Sequence, residues 1–310
     1  MSALKQHLKN YLRLRRSLGH DLADAGRLLP WLVEDLDAAG ADYLTIQAAL
    51  AWSLKPDAEP GTTVWSRRMT AARGFAKYMT GIDPRTEVPP LGIVPMRRQR
   101  RPPFIYTPQD IQALMAQTGR SIPQPLRAAT HQTLIGLLAA TGIRVGEALR
   151  LDHGDIDWAE GVLLIRESKF GKSRIVPLHP STTDALQQYT STRQELYPCP
   201  KTESFFVSLR GTRVIYETVW ETFRMLCTAS GVGAESDLTP RIHGLRHTFA
   251  IRALIDWYQD EDVDIQVRLA WLSTYLGHRD PRFTYWYLSA TPELLGRAAD
   301  RLQRAQAGRS

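Results

Sequence analysis

A tyrosine near the end of this 310-residue chain, Tyr287, follows a set of basic residues at fixed intervals. Arg144 lies in T-G-I-R-V-G-E-A-L, His243 and Arg246 in H-G-L-R-H-T-F-A, and His278 in Y-L-G-H-R-D. Together they supply one phenol, two guanidinium groups and two imidazoles, an inventory suited to attack on a phosphodiester without a metal ion. A phenol with a pKa of about 10 is a weak nucleophile at neutral pH. It becomes useful where neighbours take its proton and the phosphate is already polarised. Arginine forks suit that second task, because each bonds two phosphate oxygens and keeps its charge. Tyr285 carries the same phenol two positions earlier, so only spacing separates the two candidates.

Such groups work only if the chain holds them in place. At about 100° per residue, His243, Arg246 and His247 share roughly a third of a helix circumference. Leu245 and Phe249 fall on the other side and can face a core. His247 reads as a supporting residue, and so does Glu147, three places after Arg144. Residues 161–167 (G-V-L-L-I-R-E) and 175–178 (I-V-P-L) are β-rich and joined by a short glycine-containing loop, which predicts a hairpin. That loop offers Lys169, with Lys172 as the alternative cation. Thr107-Pro108 is a helix start, and an apolar helix over residues 130–140 stops at Thr141-Gly142. Thr291-Pro292-Glu293 starts a last helix, with Leu295, Ala298, Leu302 and Ala305 as its apolar stripe.

The first third of the chain is the basic part. Residues 1–104 hold 16 Lys/Arg against 10 Asp/Glu, and the rest hold 23 against 22, within a net charge of +7. Such a balance suits a clamp that grips phosphates regardless of sequence. Leu4, Leu8, Tyr11 and Leu12 keep helical spacing, as do Leu28, Leu29, Leu32, Val33 and Leu36, where Pro30 must start or bend the helix. Residues 64–79 carry Arg67, Arg68, Arg73 and Lys77 beside Trp65, Phe75 and Tyr78, the pattern of a helix laid on DNA. Residues 84–103 hold six prolines with Arg97, Arg98, Arg100 and Arg101 among them, which reads as a semi-rigid, phosphate-binding linker. No apolar run approaches membrane-spanning length, and the first ten residues lack the apolar core of a secretory signal. Cys199 and Cys227 show neither metal-ligand nor redox spacing, in keeping with a reducing intracellular setting. The acidic run at residues 260–264 lacks the glycine and distal glutamate of a calcium loop and reads as exposed.

In order and spacing these motifs resemble the tyrosine recombinase, or phage integrase, family. The resemblance runs over residues 107–288, and the basic helical segment before them is similar to that family's DNA-clamping domain. Arg144 with Glu147 matches the family's first arginine and following acid, Lys169 its hairpin lysine, and His243 with Arg246 its His-x-x-Arg pair. His278 matches its Leu-Gly-His and Tyr287 its nucleophile, nine residues further on. The resemblance implies a mainly α fold with a small β-hairpin or sheet, in two domains: a helical clamp at 1–88, a linker at 89–103, and an α+β catalytic domain at 104–290. A tail at 291–310 would dock on a neighbouring subunit. It also implies that Tyr287 forms a 3′-phosphotyrosine link, with no cofactor, metal or ATP. Arg144 and Arg246 would hold the non-bridging oxygens, and His278 would donate to them. His243 would accept the phenol proton, and Lys169 would protonate the leaving oxygen. The expected partners are double-stranded DNA, three further copies in a tetramer, and partner recombinases or DNA-bending proteins; the expected location is the cytoplasmic nucleoid. A type IB topoisomerase and a non-catalytic DNA-binding relative are the competing readings.

Overall fold

In a computed structural model, the chain forms two compact units, Met1–Arg100 and Arg101–Ser310. The structure describes residues 2–57, 63–94, 102–168, 172–260, 262–278, 280–289 and 292–307. Lys169 and the four arginines at 97, 98, 100 and 101 lie outside these described residues.

The first unit is helical: α1 (Ala3–Ser17), α2 (Ala23–Ala38), α3 (Ile46–Ser53) and α4 (Thr63–Met79). Its core joins Leu4, Leu8 and Tyr11 to the leucines of α2 and to Phe75 and Met79 of α4. Helix α2 begins seven residues before Pro30 and passes through it, so this proline neither starts nor ends the helix. The missing proline N–H costs one helical bond, and burial of Leu28, Leu29, Leu32, Val33 and Leu36 offsets it.

The register of α4 corrects one expectation. Arg68 does not lie on the outer face. It shares the inward row of Ala72, Phe75 and Met79, is only 4% exposed, and is held by Asp57 at 2.5 Å. The outward row is Arg67, Thr70 and Lys77. Arg67 pairs there with Asp24, while Arg73 spends its guanidinium on the carbonyls of Pro89 and Pro90.

The second unit contains α5 (Pro108–Ser121), α6 (Pro125–Thr141), α7 (Val145–Arg150), α8 (Pro180–Leu196), α9 (Tyr216–Ser230), α10 (Gly244–Gln259), α11 (Ile265–Leu276), α12 (Arg282–Tyr285) and α13 (Pro292–Ala307). Thr107 caps α5 in a reciprocal capping box with Asp110, behind the proline at the first turn. Helix α6 packs against α5, α8 and α10. It ends at Gly142, whose φ of +62° only glycine adopts readily. A Cβ there would come 2.5 Å from the ring of Phe249. The sheet is antiparallel in the order β1 (Ile156–Asp157), β2 (Val162–Ser168), β3 (Lys172–Pro177). Leu163, Ile165 and Val176 are buried, and Leu164 and Ile175 face out. Two turns of 3-10 helix, His153–Asp155 and Trp286–Ser289, complete the unit.

A second, smaller core gathers Ala250, Ile251 and Leu254 of α10, Leu269, Leu272 and Leu276 of α11, Tyr287, and Leu294 of α13. The last helix therefore packs on its own unit. Its inward row is Leu294, Arg297, Ala298 and Arg301 rather than the row begun by Leu295, which is 52% exposed. Arg301 fixes this register by donating to the carbonyls of Trp257, Asp260 and Val263 at the end of α10.

Candidate active site

Four element ends meet around the C-terminus of α11. A helix leaves its last carbonyls without partners, and they carry the negative end of its dipole. Here three successive carbonyls each accept from a different arginine. Arg174 Nε donates to Tyr275 at 2.7 Å, Arg246 Nη2 to Leu276 at 2.6 Å, and Arg144 Nη2 to Gly277 at 2.9 Å. Arg246 Nη1 also donates to the Gly142 carbonyl at 2.8 Å, tying the end of α6 to the same point. Gly277 turns with φ +66°, and a Cβ on it would stand 3.0 Å from the Arg174 guanidinium. The glycine therefore lets the arginines close over the helix end.

Three guanidiniums this close repel one another, and Glu147 is the counter-charge. Its carboxylate is 3% exposed. It accepts from the Arg144 backbone N–H at 2.9 Å, Arg144 Nη1 at 2.7 Å, and both Nη atoms of Arg174 at 3.0 and 2.8 Å. Burial alone would raise its pKa, but the bonds from Arg174 and Arg144 hold it down at about 2. Arg246 has no such partner. It is 2% exposed, and burial together with the charge of Arg144 pushes its pKa down to about 10.

Arg174 is the member that the motifs did not reveal. It faces inward on β3 in the same row as buried Val176, opposite Ile165. A charged residue in the inward row of a strand must have a buried partner, and that alternation is the trace it leaves in the sequence.

The start of α10 supplies the imidazoles. His243 and His247 meet edge to face with ring centroids 4.8 Å apart. His243 is exposed as a residue, although the ring of His247 and the guanidiniums of Arg246 and Arg144 crowd around it. Lost hydration, then the charges of Arg246 and Arg144, push its pKa down to about 4. His278 follows Gly277, and its Nδ1 lies 2.7 Å from the Thr284 hydroxyl. Burial, then Arg246, Arg144 and Arg174, lower it to about 3. Both imidazoles are therefore neutral at pH 7.

Tyr287 stands between these groups, in the 3-10 turn after α12. Its ring stacks on His278 at 6.2 Å and 22°, and its hydroxyl lies 3.1 Å from His247 Nδ1. The residue is 2% exposed. Tyr285 is 51% exposed on the outside of the same segment. The structure thus brings Arg144, Glu147, His243, Arg246, His247, His278 and Tyr287 together, and adds Arg174. The phenol's hydrogen-bond partner is His247, the supporting residue of the sequence reading, rather than His243.

Comparison with known proteins agrees with this arrangement. A model described as the phage integrase family matches residues 105–293. A Sinorhizobium fredii protein, y4rB, which carries the name integrase/recombinase, is 38% identical over 98% of both chains. The tyrosine recombinase XerD of Neisseria meningitidis is 26% identical over 90% of this chain and 86% of its own. Among solved structures, the Tn1549 transposon integrase with transposon right end DNA superposes with a TM-score of 0.68 at 18% identity. That match covers 96% of this chain and 98% of the integrase chain.

Proposed function

The chain belongs to the phage integrase family of tyrosine recombinases, and from that premise we propose how its residues cut and rejoin DNA. It is a site-specific recombinase, an enzyme that breaks and reseals DNA strands. The observation that carries the mechanism is the placing of the Tyr287 hydroxyl on an imidazole beside three guanidiniums.

In the reaction, Tyr287 Oη attacks a phosphorus atom of the DNA backbone. A bond forms between Oη and phosphorus, and the bond from phosphorus to the 5′ oxygen breaks, leaving a 3′-phosphotyrosine and a free 5′-hydroxyl. Arg144 and Arg246 bind the non-bridging oxygens, where charge builds in the transition state. Both already donate to backbone carbonyls, so phosphate oxygens replace acceptors of the same kind. His278, whose Nδ1 lies on the Thr284 hydroxyl, donates a hydrogen bond from Nε2 to the same oxygens. His247 holds the phenol before attack. Neutral His243, which water and DNA can reach, takes its proton as general base. Lys169 protonates the departing 5′ oxygen; this role rests on the resemblance. The phosphotyrosine retains the energy of the broken bond, so a 5′-hydroxyl can reverse the step without ATP. The guanidiniums supply the positive charge that a metal ion provides in other nucleases.

The substrate is double-stranded DNA. The DNA complex of the Tn1549 integrase supports this reading, as does the structure of XerH bound to difH. The segment at 1–88 clamps the duplex through the outward Arg67 and Lys77, and the linker at 89–103 adds Arg97, Arg98, Arg100 and Arg101. Four copies assemble on paired sites when the tail at 291–310 leaves its place on its own unit and docks on a neighbour, and the protein works at the nucleoid. Relatives named integrase/recombinase favour recombination over topoisomerase-like relaxation.

Trapping on a nicked suicide substrate tests the nucleophile. Tyr287→Phe removes only the phenol oxygen, so it abolishes the covalent complex and leaves duplex binding intact. Tyr285→Phe still traps. The opposite pair of results would transfer the role to Tyr285.

A further inference from the structure

Six of the twelve described cations of the first unit are matched to carboxylates, and four of the other six lie on one helix. Arg27 and Arg67 meet Asp24, Lys55 meets Asp35, Arg68 meets Asp57, Arg85 meets Asp42 and Asp83, and Lys5 meets Asp37. Helix α1 departs from this pattern. It has no Asp or Glu of its own. Among the described residues, Lys9, Arg13, Arg15 and Arg16 form no ion pair. Lys5, Lys9, Arg13 and Arg16 fall within about 80° of the helix circumference and span about 16 Å of its length. That stripe lies away from buried Leu4, Leu8 and Tyr11. Lys9, Arg13 and Arg16 are all exposed.

The opposite face of α1 rests on α4. A Cβ on Gly74 would lie 2.8 Å from the Tyr11 hydroxyl, so Tyr11 rests on α4 between Thr70 and Lys77. On the other flank, a Cβ on Gly26 of α2 would lie 2.9 Å from Arg16 Nη2. Arg16 therefore sits against α2 at its bare position, while Tyr11 anchors the other face of α1 on α4. A row of unmatched, exposed cations is electrostatically unfavourable by itself and becomes favourable beside a polyanion.

We propose that α1 is a DNA-backbone contact surface, with Lys9, Arg13 and Arg16 each neutralising a phosphate. The proposal rests on the recombinase reading for the identity of the polyanion, and it makes α1 a principal source of sequence-independent grip.

The test is an anisotropy titration of the full chain with a short duplex of arbitrary sequence, at several salt concentrations. The triple variant Lys9→Ala, Arg13→Ala, Arg16→Ala should bind more weakly. Its slope of log K against log salt should be shallower by about 2.7, at about 0.9 per lost contact. Replacing Arg13 and Arg16 by lysine keeps the wild-type slope, because the charge remains. Lys55→Ala, which loses a cation already matched to Asp35, also keeps it. An unchanged slope in the folded triple variant overturns the proposal. An unchanged slope with loss of multi-subunit complexes also overturns it and assigns the face to protein contact. Failure of the wild type to bind any duplex would instead remove the recombinase reading, and the proposal with it.

Discussion

Arg174 shows how much of this site rests on a residue outside the recognisable motifs. It grips both oxygens of Glu147, and Glu147 in turn holds Arg144 by side chain and backbone. Arg174→Ala should leave a buried carboxylate with half its partners, at a cost of about 3–5 kcal/mol. It should also slow single-turnover cleavage by roughly 100-fold, as expected when a binding group is displaced by about 1 Å. Arg174→Lys restores the charge but not the fork, so cleavage recovers only in part. Wild-type cleavage by a folded Arg174→Ala protein would show that Arg144 is positioned without it. The motif residues were legible because each falls in a short run whose spacing places it on a helix start or helix end. Arg174 was not, because its partners lie 27 and 101 positions away along the chain. Arg68 misled for the opposite reason. A basic residue beside other basic residues looks like surface, yet the i, i+4, i+7 row that buries Phe75 also buries Arg68.

Elements were read best where they carry their own punctuation. The capped start of α5 and the glycine stop of α6 follow from local backbone chemistry, and the hairpin follows from β-rich runs around a turn. Strand β1 escaped notice because two residues give no alternation to detect, and only pairing with Leu163 and Val162 makes it a strand. Helix α13 was foreseen with its face turned by one residue. Arg301 can satisfy the carbonyls at the end of α10 only when Leu294 points inward. Leu294→Ala should therefore lower the stability of the second unit by about 2–5 kcal/mol. Leu295→Ala should change it by no more than about 0.5 kcal/mol. Thermal or denaturant melting of the two variants gives the comparison, and equal effects would mean that the register is wrong.

At the scale of the molecule, the site makes stability depend on acidity. His243 and His278 titrate at about 4 and about 3 when folded, below the 6.5 of a free imidazole. The unfolded chain therefore takes up protons first. Their contribution is complete above pH 6.5 and is lost as pH falls through the folded values. Glu147, lowered from 4.5 to about 2, adds its own loss below pH 4.5. Melting of the DNA-free protein should fall away from about pH 6.5 downward. The double variant His243→Asn, His278→Asn should lose less stability than the wild type between pH 6.5 and 4.5, the remaining slope coming from His131 and His153, which burial also lowers; superimposable curves for the two proteins would contradict this assignment.

The same crowding of guanidiniums around uncharged imidazoles makes proton uptake a report of occupancy. A phosphate seated among Arg144, Arg174 and Arg246 would cancel the positive field that adds to burial in stripping His278 of its proton, while His243 stays neutral as the general base. Binding of a duplex should then draw protons from the medium. Calorimetric heats measured at one pH in two buffers of different ionisation enthalpy should differ in proportion to the protons taken up. Identical heats would mean that His278 also stays neutral with the backbone in place.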